Sequence, residues 1–196
     1  MNKNIILEIA RKASVLCLLF VSVWNVHAQN SFAQIEPISY SRVQITDTFW
    51  KPKIEKVATI TIPVCIAQTE IKTPRIRNFE KVARKKGEKH EGIYYDDSDV
   101  YKALEAIAYS LKNYPDASLE KKADEWIDKI AAAQEPDGYL NTYYSLTGLD
   151  KRWTDTDKHE DYCAGHLIEA AVAYFNTTGK RKLLDVAIRF ADHIDA

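Results

Sequence analysis

The sequence predicts an all-α protein of repeated helical hairpins, an open α-solenoid or, better, a closing α/α toroid, led in by a short extended segment. Three observations carry this. Beyond Asp97 the apolar residues recur with helical period. Two helical hairpins superpose without a gap at an offset of 64 residues. About 25 residues rich in aromatic and polar side chains separate them, longer than the short turns of a simple solenoid.

The chain opens with Lys3, Arg11 and Lys12 ahead of an uncharged apolar run, Ala13 to Trp24, and then Val26-His27-Ala28. This pattern predicts an export signal over residues 1–28, and hence a periplasmic or extracellular protein. The run is shorter than the ~20 residues of a spanning helix, which argues against a permanent membrane anchor. Residues 29–48 form the lead-in, where Ile38, Tyr40, Val43 and Ile45 among Pro37, Ser39 and Ser41 suit a short strand or extended stretch. The helical domain covers 49–196. Its first helix spans Phe49 to Ile71, with Pro63 a kink or break. Residues 73–96, with Pro74, Gly87 and Gly92, read as a long loop, and the basic run Lys81 to His90 as its solvated part.

From Asp97 the elements are sharper. Ala103, Leu104, Ile107, Ala108 and Leu111 mark one face of a helix that Asp97 and Asp99 can cap, and Tyr114-Pro115-Asp116 stops it. Leu119, Ala123, Trp126, Ile127 and Ile130 form the stripe of a second helix, which Glu135-Pro136-Asp137-Gly138 ends. A third runs from Asp161 to Thr177 and stops at Gly179, and a fourth runs from Arg181 onward. At the offset of 64, Asp97 matches Asp161, Glu105 matches Glu169, Leu119 matches Leu183 and Ala123 matches Ala187.

Composition narrows the function. With 46% apolar residues the 196-residue chain can build a packed core, and a net charge of −1 with mixed signs gives no footprint for nucleic acid. Cys65 and Cys163, left after removal of the signal, sit in apolar helical surroundings and read as small buried residues, although export permits a disulfide. Between the hairpins, Tyr139, Tyr143, Tyr144 and Trp153 lie among Asn141, Asp150, Arg152, Asp155 and Asp157. Aromatic faces beside amides and carboxylates suit a carbohydrate, whose C–H faces stack on rings and whose hydroxyls need polar partners. A Glu160/Glu169 acid/base pair is rejected, because Glu169 repeats Glu105 and a structural role in each hairpin explains both.

Four stretches carry a resemblance: Ile45-Thr46-Asp47-Thr48-Phe49-Trp50-Lys51, Asp97-Ser98-Asp99-Val100-Tyr101-Lys102, Gln134 through Thr142, and His159 through Ala170. In this order they resemble the amino-terminal part of glycoside hydrolase family 127, the β-L-arabinofuranosidase-like enzymes. The resemblance implies a partial (α/α)6 toroid, here roughly its first two hairpins, and an enzyme releasing non-reducing-end β-L-arabinofuranosyl groups from arabinose-containing glycans. It further implies a retaining mechanism with a zinc-bound cysteine thiolate as nucleophile and a glutamate as acid/base. This chain has neither the Cys-Cys pair nor the Glu-x-Cys of that centre, so no catalytic residue is assigned, zinc is expected only in full-length members, and the chain alone is expected to be inactive. The alternative is a non-catalytic helical module that binds sugar or protein. His159 matches the histidine opening the family's pocket motif. His166, Tyr139, Tyr143 and Asp97 complete the expected substrate-binding set.

Overall fold

The computed structural model describes residues 36–196, so the expected export signal over 1–28 lies outside the described residues. The chain divides into two units, one ending at Val43 and the other covering Gln44–Ala196. In the first, residues 36–43 are irregular around a single 3-10 turn, Tyr40–Arg42, where the Val43 N–H donates to the Tyr40 carbonyl at 3.1 Å. The strand expected here is absent, as is any other among the described residues. A lone strand without a partner leaves its ladder groups unpaired.

The second unit is built of helices joined by turns and loops. Helix α1 covers 50–72. It starts where the Asp47 carboxylate accepts the N–H groups of Phe49 (2.8 Å) and Trp50 (2.6 Å). It does not break at Pro63. The proline lacks an N–H and its ring crowds the carbonyl four residues back, and the chain absorbs this in a π-helical stretch, Val57–Thr61, before resuming as Ile62–Ile66 and widening again over Ala67–Lys72. The expected loop after it is also corrected. Arg75–Arg84 is helix α2, ended by Lys85 in the left-handed conformation. Its buried Ile76, Phe79 and Val82 follow helical spacing, hidden in the sequence among the four basic residues Arg75, Arg77, Lys81 and Arg84. Lys81 is therefore no solvated loop residue: it is buried, and its ammonium donates to the Lys89 carbonyl and pairs with Glu91.

Asp97–Asn113 forms α3, Ala117–Ala132 α4, Thr142–Thr147 the short α5, Glu160–Thr178 α6 and Lys182–Asp195 α7. The Asp116 carboxylate caps α4 by accepting the N–H groups of Ser118 and Leu119. Gly179 ends α6 at φ +75°. Helices α1, α3 and α6 pack side by side in one layer, and α2, α4 and α7 in a second. The described residues thus hold three helical pairs rather than two. Val100, Leu104 and Ile107 of α3, Trp126 and Ile130 of α4, Leu167 and Ala171 of α6, and Phe190 of α7 fill the space between the layers. Ile168, Val172, Ile188 and Ile194 remain exposed on α6 and α7, the layers' last helices.

The cysteines differ from expectation. Cys163 is buried but Cys65 is exposed on α1, and both are free thiols. Burial and the neighbouring Asp97 carboxylate push the Cys163 thiol well above its ordinary value. In a chain starting at Gln29, a thiol-reactive chromophore is expected to label Cys65 at once and Cys163 only after denaturant is added; two fast thiols in the native protein would contradict this packing.

Candidate sugar-binding site

The segment between α4 and α6 is structured rather than a bare loop. It carries α5 and the 3-10 turns Leu149–Lys151 and Thr156–Lys158. Two buried anchors hold it. The first is Asp97, which does not cap α3. Its carboxylate reaches across to accept the N–H of Thr142 (2.7 Å) and its hydroxyl (2.5 Å), tying α5 to the start of α3. Burial pushes the Asp97 carboxyl up to about 6 even though those two bonds favour its charged form. Asp99 likewise makes no cap and instead pairs with Arg75 at 2.8 Å. The second anchor is Tyr139, fully buried, whose hydroxyl donates to Glu160 at 2.5 Å. Its burial and the Glu160 carboxylate push the phenol up, which keeps it a donor.

Above these anchors lies a row of rings. His90 packs edge-on against Tyr143 (5.4 Å between centroids), Tyr143 against Tyr94 (6.1 Å), and Tyr94 and Tyr95 against His159 (5.7 and 5.3 Å). Tyr162 meets His159 at 5.6 Å and His166 at 4.6 Å. Burial pulls the His90 imidazole down, and Asn78 Nδ2 lies 3.1 Å from its Nε2, so this ring is held neutral as an acceptor. At the end of the row a cleft of about 280 Å³ is lined by Trp153, Asp155, Thr156, His159, Glu160, Asp161 and Tyr162. Ring faces, hydroxyls and carboxylates around one concavity provide what a sugar needs and little that a bulky apolar ligand would.

Of the expected site residues, the structure thus brings Tyr143, His159 and His166 into one row, with Tyr143 and His166 at some remove from the cleft. Tyr139 and Asp97 lie beneath, with almost no surface of their own: 0% and 2% exposed. The sequence reading missed Tyr94, Tyr95, His90 and Tyr162. The signal was available in Ile93-Tyr94-Tyr95 directly before α3, but the assignment of 73–96 to a featureless loop set it aside.

Among the described residues, Glu105, His166 and Glu169 bring donor atoms within 4.8 Å of one another. The repeat-equivalent glutamates thus meet across α3 and α6. His166 Nδ1 is buried 3.1 Å from a Glu169 oxygen, without the alignment of a hydrogen bond. The Glu169 side chain is 60% exposed, and such nitrogen-and-oxygen groups at a surface are common without an ion. Neither this group nor the cysteines fit a thiolate zinc centre. Cys163 is buried with its proton held on, and Cys65 lies on another helix.

Comparison with known proteins places this geometry. Residues 42–196 match the model of the β-L-arabinofuranosidase, GH127 catalytic domain. The non-reducing end β-L-arabinofuranosidase of Bifidobacterium longum subsp. longum is 36% identical over 180 residues, covering 79% of this chain and 27% of the relative. A GH127 β-L-arabinofuranosidase from Geobacillus stearothermophilus T6 shares 46% identity with a TM-score of 0.73, covering 78% of this chain and 25% of its own. A second solved GH127 β-arabinofuranosidase shares 40% identity with a TM-score of 0.76, over 82% and 27%. The chain therefore spans about a quarter of the length of these relatives. With its family model matched over most of its length, the chain belongs to glycoside hydrolase family 127.

Proposed function

We propose that this chain supplies part of the sugar pocket of an exported glycoside hydrolase acting on non-reducing-end β-L-arabinofuranosyl groups, and does not by itself hydrolyse them. The observation that carries the reading is His159, held by Tyr94, Tyr95 and Tyr162 at the rim of a polar, ring-lined cleft. The names of the relatives supply the sugar. The cysteine-rich centre that the family resemblance implies has no counterpart among these residues, so none of the bond-breaking groups is assigned to them. Export rests on the pattern of residues 1–28. A free-standing binding module is the poorer reading, because Ile168, Val172, Ile188 and Ile194 leave the last helices with apolar surface rather than a polar cap.

Two measurements test this. Methyl β-L-arabinofuranoside added to the purified chain is expected to shift the ring signals of His159, and His159→Ala is expected to abolish the accompanying shifts of Trp153 and Tyr162. Hydrolysis of an aryl β-L-arabinofuranoside with added zinc is expected to be absent. Turnover by the chain alone, or a sugar response that leaves His159 unmoved, would overturn the proposal.

A further inference from the structure

Glu160 is the most constrained polar residue at the cleft, and a pocket residue of that kind has two readings: it touches the sugar, or it sets the residue that does. Its burial at 5% exposure and the engagement of both its carboxylate oxygens by protein donors favour the second. One oxygen accepts the Tyr139 hydroxyl, and the other accepts the Trp153 N–H at 2.8 Å. These contacts join the start of α6 to the far end of the eight-residue segment 153–160. Both Trp153 and His159 in that segment hold positive φ, +59° and +61°, a conformation that side-chain-bearing residues adopt only when their surroundings impose it. Between them the Asp155 carboxylate accepts the Asp157 N–H, and the His159 N–H reaches the Thr156 carbonyl at 3.3 Å. The segment is a closed ring of contacts whose clasp is Glu160.

The ring of contacts fixes more than a backbone. His159 Nδ1 lies 2.6 Å from the Asp157 carbonyl oxygen. A carbonyl can only accept, so Nδ1 carries the proton, and in the neutral imidazole Nε2 is left with its lone pair. No described residue bonds Nε2. We propose that Glu160 is a positioning residue for His159: by clasping Trp153 and Tyr139 it holds the 153–160 segment so that the imidazole keeps its Nδ1–H tautomer and offers Nε2 as an acceptor to a sugar hydroxyl. This deepens the sugar-pocket reading and rests on it only for the identity of the donor. The ligand chemistry that follows is a neutral hydroxyl donating a proton to His159, rather than an anionic group, which an imidazole lone pair would repel.

The test needs no sugar, so its failure is separable from failure of the functional reading. Long-range ¹H–¹⁵N correlation on the ¹⁵N-labelled chain at about pH 8.5, where imidazoles are neutral, reports each tautomer directly. The expected result is Nδ1–H at His159, with a Trp153 amide slow to exchange. Glu160→Ala removes both acceptor contacts; it is expected to speed Trp153 exchange at least about tenfold and move the His159 nitrogens toward a tautomer mixture. Glu160→Gln preserves side-chain size and keeps one acceptor oxygen for the Trp153 N–H, so it is expected to hold the tautomer and restore most of the protection. It also decides the matter if the alanine variant fails to fold, since a glutamine variant with Trp153 as exposed as a free amide would remove the clasp from the argument. An Nε2–H tautomer in the unmodified chain, or unchanged His159 nitrogens in a folded Glu160→Ala variant, would overturn the proposal.

Discussion

Asp97→Asn is expected to make the protein more stable at neutral pH, by up to about 3 kcal/mol, and to leave it unchanged near pH 3.5. The reason is the conflict at the buried end of α3. Burial pushes the Asp97 carboxyl from its ordinary 3.8 to about 6, against the pull of the two Thr142 bonds. The folded state thus binds a proton over a pH range where the unfolded state has released it. The contribution of Asp97 to stability is therefore highest below pH 3.8, falls as pH rises through the window from 3.8 to about 6, and is lowest above it. At about 1.36 kcal/mol for each pH unit of difference, that window is worth about 3 kcal/mol.

Asparagine copies the neutral carboxyl in shape. It keeps an acceptor for the Thr142 N–H, and the Thr142 hydroxyl can turn to accept from the amide. Asp97→Ala has the opposite sign, because it strands both Thr142 donors in the core, and a loss of about 2 to 4 kcal/mol is expected. Urea unfolding of the three proteins at the two pH values measures both effects. Equal pH dependence in the parent and the asparagine variant would show that Asp97 carries no such penalty. A penalty confirmed would mean that the link between α3 and α5 is kept despite its cost, as is common where a segment positions a site.

The parts of this architecture that were legible in the sequence share one property: their apolar residues are uninterrupted by other demands. Helices α3, α4, α6 and α7 show it, and their hairpin repeat could be read by eye from Leu119 and Leu183 or Ala123 and Ala187. Helix α2 has only Ile76, Phe79 and Val82 to show, set among Arg75, Arg77, Lys81 and Arg84, and the eye follows the charge. Pro63 left a kink or a break open, and the π-helical turns beside it leave no trace in composition. At the candidate site, His159 was named from its motif, but the rings around it come from three separate segments. Tyr94 and Tyr95 precede α3, Tyr143 lies on α5 and Tyr162 on α6, and only the fold brings them together. Asp97 shows the limit of local rules most clearly. An aspartate at a helix start predicts a cap, yet here tertiary structure offered it Thr142, 45 residues away, and the longer-range bonds won.

Gly138→Ala is expected to cost about 3 kcal/mol or more. Two effects combine at that position. Gly138 has φ +92°, outside the range that an L side chain adopts without strain, and a Cβ there would lie 2.3 Å from the Arg189 carbonyl oxygen and 3.1 Å from its carbon. The obstacle is helix backbone, which cannot turn aside as a side chain would. Relief requires moving α7 away from the Glu135–Gly138 turn. That turn is fastened to α7 by Gln134 Nε2, which donates both to the Gly138 carbonyl (2.8 Å) and to the Val186 carbonyl (2.9 Å). Gly87→Ala separates the two causes, because Gly87 also has positive φ, +67°, but a Cβ there meets nothing within 4 Å. Its cost should be that of conformation alone, about 1 to 2 kcal/mol. The larger loss at Gly138 then measures the clash. The damage should also spread in a definite direction, because Tyr139 follows Gly138 and packs on Phe190 and His193 of α7 while its hydroxyl reaches Glu160. Thermal unfolding of the two variants, followed in the near-ultraviolet where Tyr139 and Trp153 contribute, gives the comparison. Equal midpoints for Gly87→Ala and Gly138→Ala would mean that the turn and α7 are not locked together. A much lower midpoint for Gly138→Ala, with its aromatic signal weakened before unfolding, would show that packing beneath the cleft holds His159 in place from a distance.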